Sequence, residues 1–310
     1  VTKANVGGGT SGGEEPGNGE VPQGGVSKFD ASFVYDGEGH TINTNALRTA
    51  FGNAMVGASV IEYAIDDGGR GAPALPWLET APVYTNAGEY VVWYRVTNPN
   101  YEDFVHAAKL SITKRDATLT SGSSSWIYDG IAHSNTAVTA TGFVDGEGVT
   151  TNNFASIENI GSVANAFEYA FIDGTLAGNY NVTCVTGTLS VVSAQMDEWT
   201  DESKWAVTLS GNDAKYDGTE KICEVVAIAY DGFSIPTYTV TGNKGTDAGE
   251  YTLTVTGSGN FSGSHTFNWS IAKRAVTLTS GSASKVYDGT ALVNGNVTVD
   301  GDGFVDGEGP

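Results

Sequence analysis

The sequence predicts an all-β protein built of tandem Ig-like antiparallel β-sandwich domains in a linear array. Three features carry that reading: two-residue apolar alternation, dense turn residues, and a scarcity of helical periodicity. Phe29, Ala31, Phe33 and Tyr35 alternate with Lys28, Asp30, Ser32 and Val34, and Tyr251, Leu253 and Val255 alternate with threonines, as half-buried strands do. The 42 glycines among 310 residues are about twice the usual share of roughly 7%. Only Ala46 to Ala54 could make two helical turns. A small β-grasp-like unit is the alternative fold, and it requires that helix to pack across a sheet.

Internal repetition organises the chain. Tyr-Asp-Gly occurs at Tyr35-Asp36-Gly37, Tyr128-Asp129-Gly130, Tyr216-Asp217-Gly218 and Tyr287-Asp288-Gly289. A further copy, Tyr230-Asp231-Gly232, falls outside this spacing and reads as coincidence. A second mark, Ala-Gly-x-Tyr, follows at Gly88 and Tyr90, Gly178 and Tyr180, and Gly249 and Tyr251. Ser111-Ile112-Thr113-Lys114-Arg115 and Ser270-Ile271-Ala272-Lys273-Arg274 close two of the repeats. Equivalent positions lie 159 or 161 residues apart, so the period is a pair of domains, with two subtypes alternating.

The resulting organisation is the end of a preceding repeat at 1–4, a Gly-rich flexible linker at 5–26, and an Ig-like domain at 27–114. A second β domain covers 115–194, a connector 195–203, a third Ig-like domain 204–273 and a truncated fourth 274–310. The fourth, lacking closing strands, is expected to be mobile or weakly paired. Both ends read as cut, and no secretory leader is visible before the linker.

Each mark has a physical reading. Tyr-Asp-Gly places a ring on the core, an Asp that can bond its own backbone, and a Gly for a tight turn, so it reads as a hairpin signal. In Asp247-Ala248-Gly249-Glu250-Tyr251 the stretch is similar to the immunoglobulin tyrosine corner, with Val92, Val182 and Leu253 in the place of the bridging cysteine. Cys184 and Cys223 are therefore expected as unpaired, largely buried thiols.

Taken together, Tyr-Asp-Gly, the Ala-Gly-x-Tyr strands and the two Gly-Phe-Val-Asp-Gly-Glu-Gly strings resemble the tandem Ig-like and YDG/MBG-type repeats of bacterial cell-surface proteins. The resemblance covers nearly all of 27–310. It implies an extracellular location, a stalk or adhesin role, and anchorage elsewhere in the protein. Domain one departs from the simplest pattern by an excess around 66–83, a long loop or extra hairpin.

Composition narrows the partners. A net charge of −21 cannot neutralise phosphates, which excludes nucleic acid and anionic lipid surfaces as partners. No apolar run reaches the ~20 residues of a membrane helix. The four histidines, His40, His106, His133 and His265, show no metal-ligand spacing. Gly-x-Ser-x-Gly and Gly-x-Gly-x-x-Gly strings at 7–13 lie in the linker and are compositional accidents.

The metal candidate is Asp300, Asp302, Asp306 and Glu308, whose carboxylates offer oxygen ligands to calcium; no other cofactor is indicated. The repeat alignment places Thr139 and Thr141 opposite Asp300 and Asp302. Trp77 in the 66–83 loop and Trp126 are the candidate sugar-stacking residues, whereas Trp93 and Trp269 read as core. An isopeptide staple would join Asn268 to Lys204 or Lys221. The sequence thus points to a non-catalytic spacer or stalk whose partners are the neighbouring repeats and a host or cell-wall glycan or protein. An adhesin or carbohydrate-binding module using the 66–83 loop is one alternative, and an accessory region of a secreted enzyme another.

Overall fold

The structure, a computed structural model, describes residues 28–52 and 58–309. The linker, residues 1–4 and part of the candidate helix at 46–54 lie outside the described residues. The chain is all-β. The first repeat holds β1 (Ala31–Val34), α1 (Thr44–Leu47), β2 (Val60–Ile65), β3 (Gly88–Asn98) and β4 (Tyr101–Thr113). The second holds β5 (Arg115–Ser121), β6 (Ser124–Ile127), β7 (Val138–Thr141), β8 (Val149–Asn152), β9 (Gly161–Ala164), β10 (Glu168–Phe171), β11 (Tyr180–Val185) and β12 (Thr188–Val192). After β13 (Ala194–Gln195) come β14 (Trp205–Ser210), β15 (Lys221–Ile222), β16 (Glu224–Tyr230), β17 (Phe233–Ser234) and β18 (Tyr238–Thr241). The third repeat ends with β19 (Lys244–Gly245), β20 (Gly249–Gly257), β21 (Phe261–Ser262) and β22 (Ser264–Ile271), and the fourth has β23 (Val276–Ser280) and β24 (Val297–Gly301).

The strands gather into two compact units. One comprises Val1–Gly122, Thr136–Phe154 and Asn165–Gly187; the other comprises Ser123–Asn135, Ala155–Ala164 and Thr188–Pro310. In the first, β1-β4-β3-β2 form one sheet and β11-β5-β7 another. Alternation in β3 sends Val92, Tyr94 and Val96 into the main core beside Leu110 and Ile112. Its opposite face places Trp93 against Ala64 and Ala107. The helical segment continues past α1 as a wider turn through Gly52, and Leu47 and Phe51 pack on that core. The β-grasp-like alternative requires a helix at 46–54; its described part is one four-residue α-helix and the wider turn, and the rest lies outside the described residues. The extra segment at 66–83 runs back along β2, bridging Asp66 to Pro73 and Tyr63 to Leu78.

In the second unit, the three-stranded sheets β14-β16-β17 and β18-β20-β22 contribute to one core with Ile228, Leu253, Val255 and Trp269, the layering expected of a sandwich. The connector carries two short 3-10 turns, Met196–Glu198 and Glu202–Lys204, and Met196 is buried in this core. Among the described residues no helix is long and apolar enough to cross a membrane, which says nothing about spans made of strands.

One pairing was not anticipated. The segment leading into each of the first three Tyr-Asp-Gly marks runs parallel to the closing strand of its repeat: β1 with β4, β6 with β12, and Lys215 in a single bridge to Ala272. The tyrosine amide completes the ladder each time, Tyr35 donating to Thr113, Tyr128 to Val192 and Tyr216 to Ala272, at 2.8–2.9 Å. A parallel neighbour cannot be reached by a two-residue loop, so the hairpin reading of these marks is corrected. Instead the Asp carboxylate accepts the amide two residues on: Glu38, Ile131, Thr219 and Thr290 donate to Asp36, Asp129, Asp217 and Asp288 at 2.9–3.0 Å. These are Asx turns. The copy dismissed as coincidence is the true hairpin: Asp231 (φ 49°) and Gly232 (φ 82°) join β16 to β17.

Two further corrections concern single residues. Both cysteines are free, but only Cys223 is buried and Cys184 is exposed. The alternation of β11 turns Val182 toward the core and Cys184 lies beyond its reach. The two Gly-Phe-Val-Asp-Gly-Glu-Gly strings lie 161 rather than 159 residues apart because Gly301-Asp302 is an insertion: β5 pairs Thr118 with Thr141 as β23 pairs Thr277 with Asp300. Asp300 therefore corresponds to Thr141, and Asp302 has no counterpart.

Candidate functional site

A cluster of the same residue types stands at two places in the chain, each wholly within one compact unit. In the first, Tyr35 directly follows β1 and is 4% exposed. Its hydroxyl donates to Glu147 Oε1, and Tyr180 donates to the other oxygen, Oε2, at 2.7 Å. Tyr180 in turn accepts the Val144 amide at 3.1 Å. Its ring meets Tyr35 edge-on at 5.5 Å and Phe143 at 4.9 Å. Arg115, the first residue of β5, donates its Nε to the Gly142 carbonyl at 2.6 Å. The string Gly142-Phe143-Val144-Asp145-Gly146-Glu147 is thereby held at its start by Arg115 and at its end by two phenols.

The second copy repeats these contacts. Tyr216 donates to Glu308 Oε1, and Arg274 Nε donates to the Gly303 carbonyl at 2.8 Å. Arg274 also reaches the Asp302 carbonyl, and Lys215 adds an ion pair to the Asp302 carboxylate at 2.8 Å. The mark's glycine serves both copies in one way. At Gly37 (φ 84°) and Gly218 (φ 79°) a Cβ would stand 2.9 Å from Val144 and 3.0 Å from Val305. Only glycine supplies that conformation and that approach together.

A third contact follows the pattern without the glutamate. Tyr128 packs edge-on to Phe261 at 5.5 Å, and Gly130 faces Phe233. The fourth mark is bare, with Tyr287 92% exposed. In three of the four repeats, then, the Tyr-Asp-Gly turn is the surface on which residues of the next repeat sit.

Electrostatics agree with this geometry. Burial and the Glu147 carboxylate push Tyr180 up to about 12 and raise Tyr35 as well. The hydrogen bond to Glu308 raises Tyr216. Asp36 and Asp129 are held below the usual carboxylate range by the turn amide first and then by His40 and His133. Asp217 is held lower still, first by Lys221 and then by Thr219. His40 and His133 stand four residues after their Asp, 2.8 and 3.0 Å from its carboxylate, in the place that Lys221 takes beside Asp217.

The two Ala-Gly-x-Tyr subtypes separate here. Tyr90 and Tyr251 bond the carbonyls of Asn86 and Asp247, four residues back, at 2.8 and 2.6 Å. These are tyrosine corners. Tyr180 instead follows a 3-10 turn at 177–179 and points to Glu147, while the neighbouring Asn179 accepts the Ala87 amide at 2.8 Å.

The remaining candidate residues are dispersed. Trp77 packs with the Ala64, Trp93 and Ala107 cluster under the Arg95 guanidinium, 5.0 Å from its ring, and Trp126 stacks on His133 at 4.8 Å. Of the proposed calcium ligands, Asp302 holds Lys215 and the Ala275 amide, Glu308 holds Tyr216, and Asp300 lies in β24. Among the described residues no three Asp, Glu, His or Cys side chains converge as a metal site. Lys204 and Lys221 pair with Asp231 and Asp217, and Asn268 bonds Thr252. Sequence reading missed Arg115, Arg274 and Glu147; their signal was the identity of the Lys-Arg and Gly-Phe-Val-Asp-Gly-Glu-Gly strings in both copies.

No protein-family model matches the chain, and no curated protein sequence does. Solved structures similar to it are tandem arrays. Drosophila N-cadherin EC1-4 shares 12% identity over 81% of this chain and 74% of that one, with a TM-score of 0.28. Protocadherin Gamma B2 extracellular cadherin domains 3-6 give 10%, 89%, 82% and 0.27 for the same quantities, and mouse Cadherin-23 EC22-24 gives 12%, 81%, 98% and 0.25. At these scores the fold and the function rest on this chain's own geometry.

Proposed function

We propose that this chain is a non-catalytic spacer segment of a bacterial cell-surface protein, stiffened at its repeat junctions and projecting a functional module outside the cell. The observation that supports it is the recurrence of one clasp, tyrosine to glutamate and arginine to carbonyl, at both copies of the junction. A repeated contact made of the same four groups serves the repeats themselves, and its work is mechanical. Each clasp ties its junction by a hydrogen bond to a carboxylate, and the two part-buried bonds to Glu147 are worth about 1.5–3 kcal/mol apiece. The acidic surface keeps such an array soluble and self-repelling.

Small-angle scattering of the whole chain tests the reading. An elongated particle, becoming more flexible in the Glu147→Ala and Glu308→Ala double variant, agrees with it; a compact globule unchanged by both substitutions refutes it. Labelling of intact source cells by antibody to this chain tests the surface location.

A further inference from the structure

The closing strands of the first and third repeats, β4 and β22, treat their outer edges differently. Ala272 fixes which groups face that edge in the third repeat. Its amide donates to the Ala214 carbonyl and its carbonyl accepts the Tyr216 amide, both on the side away from β20. Backbone groups alternate along a strand, so the amides and carbonyls of Ser264, Thr266, Asn268 and Ser270 point the same way. Among the described residues no backbone group meets them there, and β22 ends its sheet, β18-β20-β22.

In the first repeat the same positions are closed. Lys109, the counterpart of Asn268, donates its amide to Asp30 Oδ1 at 2.8 Å, and Ala107, the counterpart of Thr266, donates to His106 Nδ1 at 2.9 Å. Ser111, the counterpart of Ser270, lies against Ser32 of β1. The matching histidine of the third repeat, His265, turns instead to Glu202, 3.2 Å from its carboxylate. β4 also carries Glu102, Asp103 and Lys109, charges of the kind that keep a bare edge from pairing, whereas Ser264–Ile271 contains no Lys, Arg, Asp, Glu or Pro.

We propose that the outer edge of β22 is a self-association site, at which it pairs antiparallel with β22 of a second copy of the chain. Charge selects this occupant. The chain carries −21, so two copies meet most readily where neither presents a charge. The edge and the face beside it, Ser264, Thr266 and Asn268 with Thr252, Thr254 and Thr256 of β20, offer only hydroxyls and an amide. The edge is also its own complement. A two-fold axis at Phe267 sets Thr266 opposite Asn268 and Ser264 opposite Ser270, each pair exchanging main-chain hydrogen bonds and each side-chain pair neutral. One strand pairing falls short of the roughly 1,200 Å² of a stable interface, so the contact is weak, about micromolar to millimolar, and strengthens as salt screens the acidic surfaces. The inference does not require the spacer reading.

The test is sedimentation of the whole chain across protein concentration and ionic strength, with amide exchange at Thr266 and Asn268 reporting where copies meet. The site predicts a dimer that grows with concentration and salt and protects those two amides as it forms. Thr266→Glu together with Asn268→Glu sets carboxylates opposite each other and weakens association about tenfold or more. Mixing that variant with a Thr266→Lys, Asn268→Lys chain restores it, which a misfolded variant could not do. A chain that stays monomeric at about 1 mM overturns the proposal. So do dimers that leave the two amides unprotected or survive both glutamates unchanged, and a mixture that fails to associate. Protection already complete in the monomer overturns it as well, since the edge is then covered within one chain.

Discussion

The Glu147 carboxylate receives the Tyr35 hydroxyl across 112 residues of sequence, and Tyr180 takes its second oxygen. One acidic side chain thereby ties together a turn of the first repeat and a strand of the second. Removing it leaves two phenols without their acceptor in a place where burial has already raised both. Glu147→Ala is predicted to destabilise the unit that contains it by about 3 kcal/mol, the sum of two hydrogen bonds to a charged group. Glu308→Ala, which frees one more exposed phenol, is predicted to cost clearly less. Urea unfolding of the whole chain, followed by fluorescence, reads both.

Glycine substitutions separate conformation from close approach. Gly37→Ala and Gly218→Ala add a methyl that meets Val144 or Val305 at about van der Waals overlap, on top of a positive φ. Gly289→Ala has the positive φ of 78° with nothing within 4 Å. The first two are predicted to cost about 2 kcal/mol, and Gly289→Ala about 1 kcal/mol, from the left-handed backbone alone. Equal losses at all three sites would mean that the valine contact contributes nothing.

At alkaline pH the clasp fails in a defined window. The folded state holds the protons of Tyr35 and Tyr180 more tightly than the unfolded chain, so their contribution is fully present below about 10. It is lost as pH rises through the folded value of about 12 at Tyr180. Ultraviolet difference titration should show these two phenols ionising after the exposed tyrosines, and Glu147→Gln should bring them earlier.

Acid acts on the turns. Asp36, Asp129, Asp217 and Asp288 all sit below the usual carboxylate value in the folded state. Their contribution is present above about pH 4 and falls away as pH drops through the lower folded values. Carbon-detected titration of the four side chains should place each of them below an unstructured aspartate; a normal value at any one removes its Asx turn from the account.

Thiol reactivity distinguishes the cysteines. Burial pushes the Cys223 thiol up and covers it, while Cys184 is exposed. A maleimide reagent should modify Cys184 in the native chain and Cys223 only on unfolding.

How much of this was legible in the sequence varies by physical cause. The alternation of β3 and β20 gave the core residues Val92, Leu253 and Val255, and the tyrosine corners at Tyr90 and Tyr251 follow from local spacing. The Asx turns follow from Asp beside Gly. What escaped was long-range. Parallel pairing of β1 with β4 has no signature in either strand, because period-two patterning is blind to the direction of the neighbour. Nothing local marks Val144 and Glu147 as contact residues, since their partners Gly37 and Tyr35 lie in another repeat. Tyr180 looked like a third corner tyrosine; its different role is set by the 3-10 turn before it and the carboxylate opposite.

The central claim is that the clasp holds the first repeat and the β11-β5-β7 sheet as one body. Residual dipolar couplings measured separately for β1–β4 and for β5, β7 and β11 address it directly. A single alignment tensor for both sets, splitting into two in Glu147→Ala, is the predicted result. Two independent tensors in the unaltered chain would contradict it.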